Sequence, residues 1–363
     1  MQQCALGKPH SNMIFRQLFD IQSCTYTYIL ADETSREAVI IDTVFEQIAR
    51  DFALLRELDL TLLYAIDTHC HADHVTGAWL MQQKTGCRIA VARTIGAANV
   101  DIALGHKDVI SFGQHKLEVR ATPGHTDGCL TYVTENHARA FTGDALLIRG
   151  CGRSDFQHGD AATLYDSISE QILSLPDHCL IYPGHDYNGR TVSSVAEEKA
   201  FNARIGGEAN KQDFVGYMDA MQLPHPKHID VALPANMVSG KPEDGNLPAE
   251  PDWAPVVLTF AGVMEVQPGW TAEHLAQIYL LDVREPQECI PGETTMANAS
   301  IPLGQLRGRL EEIPTDKPVM AICRSGRRSA MAAGILRQAG FEKVASVAGG
   351  LLRWKDEGLP LAS

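Results

Sequence analysis

Short stretches of apolar residues alternate with longer amphipathic stretches in the first two thirds of the chain. The short stretches predict β-strands and the longer ones predict helices. Asp160 stands where the N-cap of one helix is expected. The predicted strands are 25–30, 38–42, 62–66, 117–121 and 130–133, and the predicted helices are 161–175 and 195–205.

In the last third, apolar stretches of strand length alternate regularly with helical ones. Strands separated by helices indicate an α/β domain with a parallel sheet. The predicted order is a helix at 272–278 with Thr271 as N-cap, strands at 279–283 and 319–322, a helix at 328–339, a strand at 343–347 and a helix at 351–357.

The polar, proline-rich segment 239–255 separates the two patterns. Such composition is typical of a linker, and a chain of 363 residues suits two domains. We therefore predict an N-terminal domain at 1–238, a linker at 239–261 and a C-terminal domain at 262–363.

Charge and cysteine content exclude several classes of function. A net charge of -14 disfavours nucleic acid and anionic membranes as partners. The chain start lacks the pattern of a signal peptide and no apolar run is long enough to span a bilayer, so we expect a cytoplasmic protein. Nine scattered cysteines without a C-x-x-C pair disfavour a disulfide framework or a thiolate zinc site.

The segment 68–74 reads Thr-His-Cys-His-Ala-Asp-His and directly follows a predicted strand. Several imidazoles crowded together repel one another on protonation, and a bound divalent metal is the commonest way to stabilise them. Gly-His-Thr, Thr-Gly-Asp and Gly-His follow later strands. The candidate ligands are His69, His71, Asp73, His74, His125, Asp144 and His185.

These motifs, in this order, resemble the signature of the metallo-β-lactamase superfamily over roughly residues 13 to 237. The resemblance implies an αββα sandwich with a metal site at one edge. A dinuclear zinc thioester hydrolase of the glyoxalase II kind is one interpretation of the set. It would use His69, His71 and His125 for one metal, Asp73, His74 and His185 for the other, and Asp144 between them.

The segment 151–157, Cys-Gly-Arg-Ser-Asp-Phe-Gln, and the segment 182–187 more closely resemble persulfide dioxygenases. That resemblance implies one Fe(II) per chain, held by His69, His125 and Asp144, and oxidation of glutathione persulfide by O₂ to sulfite and glutathione. Two histidines and one carboxylate suit non-haem Fe(II) oxygenases. Arg153 and Tyr187 would hold glutathione. The residues that would orient the ligands or hold a second metal are His71, Asp73, His74 and His185.

In the C-terminal domain an apolar strand runs directly into Cys323, and a helix follows. Backbone amides, the helix N-terminus and the nearby Arg324, Arg327 and Arg328 are expected to lower the thiol pKa. A phosphatase loop would need an arginine at the position of Ser329.

This loop, with segments 281–285, 299–303 and 348–354, resembles a rhodanese domain, in which the matching cysteine carries a persulfide. Thiosulfate, sulfite and glutathione are the implied partners. Segment 289–293, Cys-Ile-Pro-Gly-Glu, departs from the family pattern, and Cys289 is expected to be structural, although a resolving role near Cys323 stays open.

Together these features predict a bifunctional, sulfur-metabolising fusion enzyme, with a homo-oligomer, a dimer as first guess, as its assembly. The alternatives are a zinc thioester hydrolase fused to a sulfurtransferase and a non-enzymatic sulfur carrier or sensor with a structural metal. Structural zinc sites are usually closed by Cys and His, which weighs against the sensor.

Overall fold

The fold was determined as a computed structural model that describes residues 12–221, 228–290 and 296–362. The chain divides into two compact units: Met1–Ile48 with Leu58–Leu247, and Ala49–Glu57 with Pro248–Ser363. The division between Leu247 and Pro248 falls inside the predicted linker. Among the described residues, no helix has both the length and the apolar character that crossing a membrane requires.

The first unit contains two six-stranded sheets. One sheet has the order β1-β2-β3-β4-β5-β6: β1 Met13–Asp20, β2 Thr25–Asp32, β3 Glu37–Ile41, β4 Thr61–Ile66, β5 Arg88–Ala92 and β6 Ile102–Leu104. The other has the order β12-β11-β10-β9-β8-β7: β7 Val109–Phe112, β8 His115–Ala121, β9 Leu130–Thr134, β10 Arg139–Gly143, β11 Leu180–Pro183 and β12 Ser193–Ser194.

The main core of this unit combines side chains of both sheets, including the fully buried Leu30, Val39, Leu117 and Phe141. A second core packs helical residues such as Leu164 and Phe214 against the outer face of the second sheet. The helices of this unit are α2 Ala78–Thr85, α3 Ala161–Ser167, α4 Val195–Phe201, α5 Lys211–Asp219 and α6 Ile229–Asn236. Helix α1, Ile48–Glu57, belongs to the second unit from Ala49 onward. The predicted αββα architecture is confirmed.

Asp160 caps α3 as predicted, because its carboxylate accepts a hydrogen bond of 2.7 Å from the backbone N–H of Thr163. The helical segment continues beyond Ser167 as a π-helical stretch, Ile168–Ile172. All strands predicted in this unit are present, with bounds shifted by at most a few residues.

The second unit has one six-stranded sheet of order β13-β14-β18-β17-β15-β16, which is parallel except between β13 and β14. Side chains pack on both of its faces, and Trp354 is fully buried. The elements are β13 Val257–Leu258, β14 Met264–Val266, α7 Pro268–Glu273, β15 Tyr279–Asp282, β16 Ala299–Ser300, β17 Val319–Ile322, α8 Arg327–Gln338, β18 Val344–Val347 and α9 Gly350–Asp356.

The helix predicted at 272–278 begins earlier and ends earlier, at Pro268 and Glu273. Proline at the first helical position supplies a helical φ and lacks the N–H that would go unpaired there. Thr271 is therefore inside the helix, where its hydroxyl donates to the Gln267 carbonyl at 3.0 Å. The N-cap prediction for Thr271 is wrong.

Candidate metal centre and cysteine loop

His69 lies in the loop after β4, and a chain of hydrogen bonds fixes which of its nitrogens is available. Its Nδ1 is 3.0 Å from Thr68 Oγ1, and Thr68 Oγ1 donates to Asp42 Oδ2 at 2.8 Å. Because the threonine proton goes to the carboxylate, Nδ1–H of His69 donates to the hydroxyl oxygen. The lone pair of His69 Nε2 is left for a metal.

His125 follows β8 and is oriented in the same way. Its Nδ1 donates to the backbone carbonyl of Arg153 at 2.6 Å, which leaves Nε2 free. His125 Nε2 lies 3.7 Å from Asp144 Oδ2, and Asp144 follows β10. One ligand atom from each of His69, His125 and Asp144 lies within 4.8 Å of the others.

Gly152 lies against these candidate ligands. A Cβ added there would lie 2.4 Å from the Asp144 carbonyl oxygen and 2.7 Å from His125 Nδ1. Only glycine permits this close approach of the backbone. The segment 151–157 thus contributes to the geometry of the candidate metal centre.

The remaining candidates form a second buried group of His71, Asp73, His74 and His185. His185 lies between two carboxylates, with Nδ1 2.7 Å from Asp144 Oδ1 and Nε2 2.9 Å from Asp73 Oδ2. Carboxylate oxygens accept, so both nitrogens of His185 donate. His74 donates from Nδ1 to Asp73 at 3.0 Å, whereas His71 donates from Nε2 to Asp42 Oδ1 at 3.2 Å.

Two nitrogens in this group are buried without a hydrogen-bond partner among the described residues: Nδ1 of His71 and Nε2 of His74. A buried polar atom without a partner is costly, and water or a cation is the usual remedy. Both histidines therefore keep a nitrogen that could coordinate.

Burial and neighbouring charges favour the protonation states that metal binding requires. Burial lowers the pKa of His69 well below its usual value, and the positive charge of nearby histidines adds to this effect. Burial also lowers the pKa of His125. For Asp144, burial opposes ionisation, but His185, with His69 and His125, outweighs it, so the pKa is lowered. The donor set therefore fits a divalent metal.

A cleft of about 750 Å³ opens onto this centre, a volume typical of small-ligand sites. Arg153 and Tyr187, the predicted glutathione-binding residues, both line it. Arg153 pairs with Asp155 at 2.5 and 2.6 Å, and Tyr187 is 70% exposed with its ring parallel to that of His185. Their role stays a prediction.

Two residues of this site were not identified from the sequence: Asp42, which holds Thr68 and His71, and Arg204, which lines the cleft. Asp42 directly follows the apolar strand β3, and a carboxylate at that strand end was an available signal. For Arg204, no local pattern in the sequence offers a comparable signal.

Cys323 of the second unit lies between β17 and α8, at the C-terminal end of a buried strand. Its loop packs against Gly350, where a Cβ would lie 2.4 Å from the Cys323 carbonyl oxygen. The backbone N–H of Leu351 donates to that carbonyl at 2.8 Å. The glycines of segment 348–354 therefore hold the cysteine loop in place.

The thiol pKa of Cys323 is lowered, as predicted. Burial raises it, but the Ser329 hydroxyl, 3.5 Å from Sγ, and the backbone N–H groups of Ser329, Ser325 and Gly326 together outweigh burial. Burial instead raises the pKa of Cys70 to about 12. The lowered pKa favours the thiolate form of Cys323.

The three arginines after Cys323 have different environments. Arg324 and Arg327 are exposed. Arg328 forms a two-pronged ion pair with Glu288 at 2.6 and 2.8 Å, and its charge also interacts with Cys323. An anion at Cys323 would therefore meet the backbone N–H groups of the loop and the positive charge of Arg328.

Cys289 lies beside the buried Asp282–Arg284 pair, with its sulfur 3.8 Å from Asp282 Oδ2. Burial raises its pKa, which agrees with the expected structural role. The rest of the divergent segment, 291–293, lies outside the described residues.

Comparison with known proteins shows which families the two parts of the chain resemble. A model of the metallo-β-lactamase superfamily matches residues 23–185, and a model of the rhodanese-like domain matches residues 267–357. The mitochondrial persulfide dioxygenase ETHE1 of Mus musculus is 52% identical over 240 residues, covering 66% of this chain and 92% of that protein. The chain belongs to the persulfide dioxygenase family of the metallo-β-lactamase superfamily. Its C-terminal part is a rhodanese-like domain, so the predicted fusion is confirmed.

Two solved structures share the fold of this chain. The crystal structure of ETHE1 from Myxococcus xanthus is 49% identical, with a TM-score of 0.61, and covers 63% of this chain and 100% of that one. A metallo-β-lactamase from Staphylococcus aureus, 22% identical with a TM-score of 0.60, covers 93% of this chain and 98% of that one. The similarity to the Staphylococcus aureus structure concerns the fold alone.

Proposed function

We propose that the N-terminal domain oxidises glutathione persulfide with O₂ at a single Fe(II), and that the C-terminal domain transfers sulfane sulfur through Cys323. The observation that carries the first half is the group of His69, His125 and Asp144, whose free ligand atoms converge at a cleft. The 52% identity to a persulfide dioxygenase supports the substrate assignment.

His69, His125 and Asp144 would hold the metal through Nε2, Nε2 and a carboxylate oxygen. Bound Fe(II) would supply the redox chemistry by which O₂ oxidises the outer sulfur. The protein fixes the ligands in advance: Thr68 and Asp42 orient His69, and the Arg153 carbonyl orients His125. Glutathione persulfide, O₂ and water are consumed, and glutathione, sulfite and two protons are formed.

In the rhodanese domain the Cys323 thiolate attacks the outer sulfur of thiosulfate, sulfite leaves, and a cysteine persulfide remains. A glutathione thiolate then takes the outer sulfur, which forms glutathione persulfide and restores Cys323. The Ser329 hydroxyl and the N–H groups of the loop stabilise the anionic sulfur before and after transfer. The product of this domain is thus the substrate of the other.

A glyoxalase II-like zinc hydrolase is the second candidate for the N-terminal domain. It is favoured by the two unpartnered nitrogens, Nδ1 of His71 and Nε2 of His74. Against it stands His185, whose two nitrogens both donate to carboxylates, so a metal bound by His185 would have to displace its hydrogen bond to Asp144 or to Asp73.

The deciding experiment measures oxygen uptake by full-length protein reconstituted anaerobically with one Fe(II) per chain. Addition of glutathione persulfide is expected to cause rapid uptake with sulfite formation, and His125→Ala should show neither. Hydrolysis of lactoylglutathione by the zinc-loaded protein, without oxygen uptake by the iron form, would instead establish the hydrolase.

The Cys323→Ser variant tests the two-site scheme. It should lose thiosulfate-dependent sulfur transfer and keep oxygen uptake with glutathione persulfide, because the two reactions use different groups. Loss of both activities in a folded variant would refute the scheme.

A further inference from the structure

Ser346 is a polar residue in the buried strand β18 of the rhodanese-like domain. All four residues of β18 are buried, and Ser346 has no exposed surface. It stands opposite Ala321 of β17, which belongs to the core that α8 covers. Side chains opposite each other on neighbouring strands lie on the same face of a sheet. The Ser346 hydroxyl therefore points toward α8 and not toward solvent.

The hydroxyl of Ser346 has a single hydrogen-bond partner within the part of the chain that the structure describes. This partner is the hydroxyl of Ser329 in α8, at 2.9 Å. Leaving a buried hydroxyl proton without an acceptor is costly. Because Ser329 Oγ is the acceptor within reach, Ser346 donates and Ser329 accepts.

The proton of the Ser329 hydroxyl then has two destinations. The Gly326 carbonyl oxygen lies 3.0 Å away, and Cys323 Sγ lies 3.5 Å away. The Gly326 carbonyl also accepts from the backbone N–H of Ala330 at 3.0 Å, so it keeps a partner when the hydroxyl turns away. The Ser329 hydroxyl can therefore turn to the sulfur when Cys323 becomes an anion.

Donation from Ser346 makes this turn more effective. Hydrogen bonds in a chain polarise one another and strengthen by about 10–30% per bond. A Ser329 hydroxyl that accepts from Ser346 is thus a stronger donor to the anionic sulfur of Cys323. Since Ser346 already supplies the proton between the two serines, the Ser329 proton is not drawn away from the sulfur toward β18.

We propose that Ser346 is a positioning residue of the sulfur-transfer site, which donates to Ser329 and so directs the Ser329 proton toward the thiolate of Cys323. This thiolate attacks the sulfur donor, and it is also the leaving group when the outer sulfur passes to the acceptor. The inference rests on the proposed function, because it assigns sulfur transfer to Cys323.

Charged groups around the cysteine loop stay the same when Ser346 is replaced. Strands β17 and β18 carry none. A change in the thiol pKa of a Ser346 variant therefore reports the chain of hydroxyls. The charged residues on the surrounding elements are Arg324, Arg327 and Arg328 in the loop and α8, Asp282, Arg284, Glu285 and Glu288 at and after the end of β15, Glu265 in β14, and Arg353 and Glu357 on and after α9.

The test measures the thiol pKa of Cys323 in the full-length protein. Iodoacetamide alkylation is followed across pH by mass spectrometry of the peptide that contains Cys323. Ser346→Ala should raise this pKa by about 0.2–0.7, so the thiolate fraction below it falls about 1.5-fold to fivefold. The kcat/KM for thiosulfate at the same pH should fall by the same factor.

Three further variants separate this role from a merely structural one. Adding Ser346→Ala to Ser329→Ala should raise the pKa no further than Ser329→Ala alone, because Ser346 acts through Ser329. Ser346→Thr retains the hydroxyl and should keep the pKa of the wild type. Thr271→Ala is the matched control, since Thr271 is fully buried in the same domain but its hydroxyl donates to the Gln267 carbonyl.

An unchanged pKa in Ser346→Ala would overturn the proposal, as would a further rise in the double variant. An equal rise in Ser346→Thr or in Thr271→Ala would also overturn it. If Ser346→Ala does not fold, Ser346→Cys serves in its place, because a thiol is a weak donor and should raise the pKa in the same direction.

Alkylation needs no sulfur transfer, so the two proposals can fail separately. If the pKa rises in Ser346→Ala but the wild type transfers no sulfur from thiosulfate, the sulfurtransferase assignment fails and the role of Ser346 in directing the Ser329 hydroxyl stands. If sulfur is transferred and Ser346→Ala matches the wild type in pKa and kcat/KM, the role of Ser346 fails alone.

Discussion

Asp42→Asn changes one atom of a fully buried side chain that holds two histidines of the candidate metal centre. Asp42 accepts from the Thr68 backbone N–H at 2.6 Å, from the Thr68 hydroxyl at 2.8 Å and from His71 Nε2 at 3.2 Å. Its φ of 53° lies in the left-handed region, which asparagine also tolerates. The substitution therefore changes charge and hydrogen bonding while the backbone conformation is kept.

The expected magnitude follows from these bonds. An asparagine oxygen can replace one carboxylate oxygen, but its NH₂ group would face a donor, either the Thr68 hydroxyl or His71. A hydrogen bond to a charged group contributes about 1.5–3 kcal/mol, and the variant should lose stability by about that amount. Because Thr68 then no longer fixes the tautomer of His69, metal affinity should fall about 10–100-fold.

The assay is a competition titration of purified protein with a metal-binding chromophore, using Fe(II) under anaerobic conditions. Asp101→Asn is a suitable control, since Asp101 accepts hydrogen bonds from Gln82 and Ile89. Urea unfolding gives the stability change in parallel. If Asp42→Asn binds metal as tightly as the wild type while losing stability, the hydrogen-bond chain through Thr68 does not tune the ligand and the reasoning is refuted.

Three further variants test other parts of the structure. Gly152→Ala should weaken metal binding at least about tenfold, because its Cβ would meet His125 Nδ1 at 2.7 Å; unchanged binding in the chelator titration would contradict this. Ser329→Ala removes the largest contribution that lowers the Cys323 pKa, so the rising limb of kcat/KM for thiosulfate should move to higher pH; an unmoved limb would exclude this role. Trp354→Ala should destabilise the rhodanese domain by about 3–5 kcal/mol in urea unfolding followed by circular dichroism, and a loss below 1 kcal/mol would be inconsistent with its full burial.

The candidate ligands could be identified from the sequence because each follows an apolar strand and stands beside a glycine or another polar residue. The resemblance to the metallo-β-lactamase superfamily implied that His69, His125 and Asp144 meet at one edge of the sandwich, although they follow strands of two different sheets, β4 in one and β8 and β10 in the other. The same holds for Cys323, which the sequence places between a strand and a helix. Local patterns carry this information because strand and helix periods are local properties.

How the candidate ligands divide into groups was not available from the sequence. The seven residues were compatible with one metal or two, and the hydrogen bonds of His185 to Asp144 and Asp73 depend on the meeting of separate strands. The same is true of the unpartnered nitrogens of His71 and His74. Protonation states follow burial and three-dimensional neighbours, which spacing along a chain does not reveal.

Fold class, domain order and most of the candidate site residues could thus be predicted from the sequence, since patterning and motif spacing are local properties of the chain. Tertiary structure alone decided that Asp42 orients His69 through Thr68, that Gly152 lies against His125, and that the hydroxyls of Ser346 and Ser329 meet. These arrangements depend on residues that are distant in sequence. Their energies depend on interatomic distances and on burial, and only folding sets those quantities.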